Sequence, residues 1–266
     1  VFNVYRRLFR VDGLPEKPTV VATDSTRDAI RERISIRTRL TDDAMLMDLY
    51  RPRSSPGRAR LPALLVVPGS DALVKRPSPG GPIASLIPDF VRSGRLVVVP
   101  ILKGEWDRAD SLNAQTDRES NFYRDRIVLW GKEFRIATDY VAGRADVDST
   151  RIGYVGMSMG GRVAPILTVL EPRIKVAVLV CPGLALDPTL PEIDPFHYLP
   201  RMRIPTLMVG GRLDSVFPLD IAQVPFFNAL GASPARKKHV VVDAGHCPSR
   251  QQFLREALPW LDKYLE

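Results

Sequence analysis

What most constrains this chain is an alternation. Short apolar runs rich in β-branched residues are separated by stretches with helical spacing, and most runs end in a turn bearing glycine or proline. Leu61–Val67, Leu96–Pro100, Arg151–Val155, Ile174–Val180, Pro205–Val209 and Lys238–Val242 read as strands. Most are continuously apolar, the pattern of strands covered on both faces of a parallel sheet. Helical spacing falls at Ile83–Ser93, at 120–143, at Met159–Leu170, and at roughly 219–230 and 249–264. The expectation is an α/β fold: a mostly parallel central sheet with helices on both faces.

Ahead of this series, Arg33–Arg37 and Met45–Tyr50 flank a turn at Thr41-Asp42-Asp43, which predicts an antiparallel hairpin at one sheet edge. Arg51–Arg60, with Pro52, Ser54, Ser55, Pro56 and Gly57, predicts a surface loop. No repeat or composition shift marks a second domain. We therefore expect one domain over residues 1–266, with 1–32 as an extension packed on it.

Three polar residues follow three of the strands in a fixed order. Ser158 lies in Gly156-Met-Ser-Met-Gly160, Asp214 in Gly211-Arg-Leu-Asp214, and His246 in Asp243-Ala-Gly-His246. A serine hydroxyl is a poor nucleophile at neutral pH and needs a base beside it, which itself needs an acid to orient it. The pentapeptide alone also suits a glycine turn that merely packs a helix on a strand. The order nucleophile, acid, base, each just after a strand, is what points to acyl transfer.

Three histidines compete for the base. His239 starts a strand and reads as a surface or edge residue; His197 sits in a proline-punctuated loop where aromatic packing is the default. His246 lies at the C-terminal end of a strand, where open α/β sheets place their sites. For the acid, Asp214 leads and Asp187 is the alternative. Asp220 reads as a first-turn helix acid, and Asp243 as a residue holding its loop. Glycines 156 and 160 permit a tight turn that lifts Ser158 from the sheet edge. The amide of Met159 and that of Ser70, in Val67-Pro-Gly-Ser70, are the expected oxyanion donors.

Loops 101–118 and 183–203 are expected to shape the pocket, with Trp106, Leu112, Phe196 and Tyr198 as possible lining. Cys181 and Cys247 are too few for a disulfide framework and read as small buried side chains at strand ends. No clustered Cys/His ligand set exists, so no metal or other cofactor is expected.

The net charge of +8 is spread along the chain, and no zinc-knuckle or RNA-binding signature accompanies it, which argues against a nucleic-acid partner. No apolar run approaches the ~20 residues of a membrane span. The chain starts at Val1 rather than Met, so it is expected to be processed, trimmed or cut from something longer. No signal-peptide pattern remains, which leaves the compartment open, cytoplasmic being the default.

From about residue 33 to the end the chain resembles the α/β-hydrolases of the dienelactone-hydrolase and prolyl-oligopeptidase-like clan. The resemblance lies in Asp146-Val-Asp148, Arg151-Ile-Gly-Tyr-Val-Gly-Met-Ser-Met-Gly-Gly161 and Pro205-Thr-Leu-Met-Val-Gly-Gly-Arg-Leu-Asp-Ser-Val-Phe-Pro218. Val67-Pro-Gly-Ser-Asp-Ala-Leu73 is similar to hydrolase domains fused behind bacterial Ser/Thr protein kinases. Ser158 stands where dienelactone hydrolases carry cysteine, and 266 residues leave no room for the propeller of the peptidases. The resemblance thus implies a bacterial serine carboxylesterase acting on small-molecule esters through an acyl-enzyme. Two alternatives stand beside it. One is an aminopeptidase or amidase whose amine site would be Glu105, Asp107 and Asp110. The other is a low-turnover regulatory domain of a larger protein.

Overall fold

The computed structural model describes residues 2–265 except 12, 14, 54–59 and 112–116. The loop expected at Arg51–Arg60 therefore falls largely outside the described residues, as does Leu112. Among the described residues nine strands form one sheet: β1 (Thr19–Ser25), β2 (Ala29–Ile36), β3 (Met45–Pro52), β4 (Leu61–Val67), β5 (Leu96–Ile101), β6 (Val147–Met157), β7 (Ile174–Val180), β8 (Thr206–Gly211) and β9 (Lys237–Val242). Their spatial order is β1-β2-β3-β5-β4-β6-β7-β8-β9. The first three strands pair antiparallel with one another, β3 pairs antiparallel with β5, and every later pairing is parallel.

The expected hairpin exists but is longer, and it pairs with β1, inside the stretch expected to be an extension. Nothing in the apolar pattern of Thr19–Ser25 points to a strand, because it is exposed along its whole length. It is held by backbone pairing to β2 rather than by burial. The charge alternation of β2 is a strand face: Arg31 and Arg33 reach Asp48 of β3 at 3.0 and 2.8 Å.

The helices are α1 (Phe2–Leu8), α2 (Gly81–Ala84), α3 (Ile87–Arg92), α4 (Asn121–Ala142), α5 (Met159–Leu170), α6 (Val224–Ala229) and α7 (Arg250–Leu265). The single helix expected at 83–93 is thus two short ones, and α6 follows a wide turn over Leu219–Gln223. Successive strand residues feed opposite cores. Leu65 and Val67 of β4, with Leu96 and Val98 of β5, pack with Phe134 of α4 and Val163 of α5. Leu64, Val66, Val97 and Val99 instead join Phe90 of α3 and Leu261 of α7. Burial on both faces is why these runs read as continuously apolar. Among the described residues, no helix is long and apolar enough to cross a membrane.

The N-terminal stretch is anchored by Phe9, fully buried against α4, where a Cβ on Gly131 would lie 2.4 Å from its ring. Parallel register puts Val67, Gly156, Val180, Val209 and Val242 near one edge of the sheet. The site is built along that edge.

Candidate active site

Between β6 and α5 the chain turns at Ser158, whose backbone has φ 49° and ψ −106°. A non-glycine residue there is strained, and the neighbours hold it. Its N–H donates to Val180 O at 2.9 Å, and its carbonyl accepts from Arg162 N at 2.8 Å. The flanking glycines are required by contact. A Cβ on Gly156 would sit 2.6 Å from Gly160 O, and one on Gly160 would sit 2.3 Å from Val67 O. This closeness locks the turn against the end of β4 and carries the Ser158 side chain clear of the sheet.

Ser158 Oγ lies 2.8 Å from His246 Nε2, and His246 Nδ1 lies 2.9 Å from both carboxylate oxygens of Asp214. Asp214 is buried, while the His246 side chain keeps 28% of its exposure. Asp214 Oδ1 also accepts from the N–H groups of Val216 and Phe217 at 2.8 Å each. Backbone bonds bind the two loops together: Leu213 N donates to Ala244 O at 2.9 Å, and Arg212 N to Val242 O at 2.8 Å. The Phe217 ring lies 5.6 Å from the imidazole, tilted 54° to it.

The residues weighed against this set lie elsewhere. Asp187 is exposed and pairs with Arg118. Asp220 falls in the first turn of the Leu219–Gln223 segment, and Asp243 pairs with Arg212 at 2.9 Å. His239 is half-buried beside Phe227, and burial pushes its imidazole down from the ordinary value. His197 is exposed, with Nδ1 2.8 Å from Pro191 O and its ring near Tyr5 and Phe196.

Ser70 and Met159 line the same cavity as Ser158. The bond joining their two segments uses Gly160 N, which donates to Pro68 O at 2.9 Å, so the Met159 amide is not spent on it. Beneath Ser70, the half-buried Asp71 carboxyl is pushed up by burial, against the opposing pull of Lys75 at 3.8 Å.

The cavity measures about 370 Å³ and is walled by Leu73, Tyr123, Trp130, Arg162, Val216 and Phe217, with Arg118 and the segment Ala185–Asp187 also lining it. Three of the four side chains expected as possible lining lie away from the cavity, while the expected loops reach it at Arg118 and at Ala185–Asp187. Trp106 and Tyr198 are fully buried in the core, and Phe196 lines a separate surface hollow with Phe2 and Tyr5. The aromatic wall comes instead from Tyr123 and Trp130 of α4 and from Phe217. Arg162 carried a usable signal, since it stands one helical turn after Ser158.

Cys181 and Cys247 are disulfide-bonded, with Cα atoms 4.9 Å apart, which corrects the reading of two separate small side chains. Cys181 directly follows β7 and Cys247 follows His246, so the folded sheet brings them together from 66 positions apart. Spacing along the chain cannot reveal that. Their sulfurs and a His246 nitrogen lie within 4.8 Å of one another, but the disulfide leaves no thiolate to ligate a metal.

The three acids weighed as an amine site are not among the residues lining this cavity. Glu105 is fully buried, and burial pushes its carboxyl well above the usual range. Asp107 pairs with Arg33 at 3.0 Å, and Asp110 with Arg126.

A sheet of this order, with a serine on a strained strand-to-helix turn, is that of an α/β-hydrolase. Residues 134–266, half of the chain, match the PET hydrolase-like family, and the chain belongs to that family. Bis(hydroxyethyl) terephthalate hydrolase of Streptomyces coelicolor is 28% identical over 155 residues, covering 56% of this chain and 47% of that protein. Cutinase 2 of Thermobifida cellulosilytica is 29% identical over 160 residues, covering 56% of each. The chain thus spans about half the length of the curated relatives it matches. In fold it is similar to an acetyl xylan esterase from a Paenibacillus species, with TM-score 0.74 and 16% identity over 99% of this chain and 93% of that one.

Proposed function

We propose that this protein hydrolyses carboxylic esters of small molecules, with Ser158 as nucleophile, His246 as general base and acid, and Asp214 as the group that orients the imidazole. The observation that carries the reading is the line Ser158 Oγ, His246 Nε2, His246 Nδ1, Asp214, each step at 2.8–2.9 Å. His246 takes the hydroxyl proton as Ser158 Oγ attacks the ester carbonyl. The tetrahedral oxyanion is met by the amides of Met159 and Ser70. The alkoxide leaves with the proton held on His246. Water, deprotonated by the same imidazole, then releases the acid from the acyl-enzyme. The relatives' names, a terephthalate-ester hydrolase and cutinases, suit the aromatic and aliphatic walls of the cavity.

Against the amidase alternative, the loop acids Glu105, Asp107 and Asp110 are engaged elsewhere and are not among the residues lining the cavity. The test is labelling with a fluorophosphonate probe, followed by turnover of short p-nitrophenyl acyl esters against aminoacyl p-nitroanilides. Labelling at Ser158 with ester turnover is expected. A higher kcat/KM on the anilides would overturn the ester assignment.

A further inference from the structure

Among the described residues four arginines are buried: Arg95, Arg108, Arg126 and Arg162. Three follow the rule that a buried charge is paired. Arg95 reaches Asp262 at 2.5 Å, Arg108 reaches Glu133 at 2.7 Å and Asp43 at 3.0 Å, and Arg126 pairs with Asp110. The fourth departs from it. Arg162 is 4% exposed, and the one hydrogen bond of its side chain among the described residues runs from Nη2 to the neutral Tyr123 hydroxyl. No carboxylate among the described residues forms an ion pair with it. It is also the only one of the four that lines the cavity beside Ser158.

A guanidinium that faces a cavity without a carboxylate partner favours an anion there, since a charge taken from water needs a counter-charge. It offers five N–H donors in a planar fork, of which the Tyr123 hydroxyl uses one. The other charges lining the cavity do not neutralise it: Arg118 and Asp187 pair with each other at the mouth. The cavity is therefore left with one uncompensated positive charge. Arg162 stands four residues after Ser158, about 6 Å further along the axis of α5. Leu73, Trp130, Val216 and Phe217 add apolar wall to the same cavity.

We propose that Arg162 anchors a free carboxylate carried by the substrate. The preferred substrates are then short amphiphilic esters with one anionic end, either half-esters of dicarboxylic acids or esters of hydroxy acids. The planar fork matches a carboxylate through two parallel bonds, as lysine could not. Arg162 is a substrate-anchoring residue and takes no part in the bond changes at the carbonyl. The inference rests on the ester-hydrolase reading and names its substrate class.

Two matched pairs test it. p-Nitrophenyl hydrogen adipate is compared with p-nitrophenyl methyl adipate, and p-acetoxybenzoate with p-acetoxybenzamide, all corrected for spontaneous hydrolysis. In the wild-type protein, kcat/KM for the anionic member of at least one pair is expected to exceed the neutral one about tenfold or more, chiefly through KM. Arg162→Gln should bring that ratio to roughly one, and Arg162→Lys should restore part of it. Asp187→Asn alters an exposed side chain that cannot threaten folding. It frees Arg118 and should raise the ratio. A wild-type ratio of one or below in both pairs, or a ratio unchanged by Arg162→Gln, would overturn the proposal. So would a fall in the ratio with Asp187→Asn.

Calorimetry on Ser158→Ala protein separates this from the parent reading. Adipate should bind and adipamide should not, and the Arg162→Gln change should abolish adipate binding. Arg162-dependent adipate binding without turnover of any ester would leave the anchor standing and remove the ester-hydrolase reading. Absence of adipate binding would remove the anchor.

Discussion

Cys181, the residue directly after β7, is covalently joined to Cys247, the residue directly after His246. The loop that carries the imidazole is therefore tied to the sheet by a covalent bond as well as by its hydrogen bonds to the Asp214 loop. The tie has a local consequence, positioning of His246, and a global one, restriction of the unfolded chain.

Both can be measured. Closing a loop of this length is worth at most about 4 kcal/mol in the chain-entropy account. Cys247→Ser, or treatment with a phosphine reductant, should lower the urea midpoint and reduce p-nitrophenyl acetate turnover. Unchanged turnover in protein shown by thiol titration to be fully reduced would mean that hydrogen bonds alone position the imidazole.

Ser158→Ala should cost on the order of 10⁶ in kcat, and Asp214→Asn on the order of 10⁴. Asp187→Asn should cost little by comparison on p-nitrophenyl acetate, because Asp187 pairs with Arg118 and not with His246. Steady-state kinetics on the three variants decides this. An Asp187 variant as impaired as the Asp214 one would remove Asp214 from the proposed mechanism.

Gly160→Ala would put a methyl carbon 2.3 Å from Val67 O, a contact with backbone that cannot rotate away. We expect a loss of about 3 kcal/mol in urea unfolding. Whatever folds should show reduced fluorophosphonate labelling, since the turn presenting Ser158 must shift. A variant as stable and as reactive as wild type would contradict the described turn.

Glu105 gives a pH prediction. Burial holds its carboxyl neutral in the folded chain well above the pH at which the unfolded chain ionises it, about 4.3. Between those two values the native state binds more protons than the unfolded state, so this residue lowers stability as pH rises. Glu105→Gln removes the effect while keeping an oxygen to accept from Leu102 N, at 2.9 Å in the wild type. The variant should match wild type near pH 4 and exceed it in unfolding free energy by about pH 8. A stability gap that closes, or runs the other way, as pH rises would refute the buried neutral carboxyl.

Local chemistry made much of this fold legible. β4, β7 and α5 have the bounds their residues announce, because a strand covered on both faces must be apolar throughout and a helix after a glycine turn has a defined start. The order of Ser158, Asp214 and His246 could be read for the same reason: each lies at the end of a recognisable strand. β1 could not, since an exposed edge strand owes its place to backbone pairing with β2.

What the tertiary structure alone decided depends on contacts between distant segments. Parallel neighbours β7, β8 and β9 set Cys181 beside Cys247 and the carboxylate of Asp214 against His246. The packing of α4 on α5 turned Tyr123 and Arg162, which read as ordinary helix positions, into a cavity wall with an unpaired charge. Periodicity reports which face of an element is buried. Whether that face meets core or cavity is fixed only by the element packed against it, and that is where the residues proposed here to select the substrate arise.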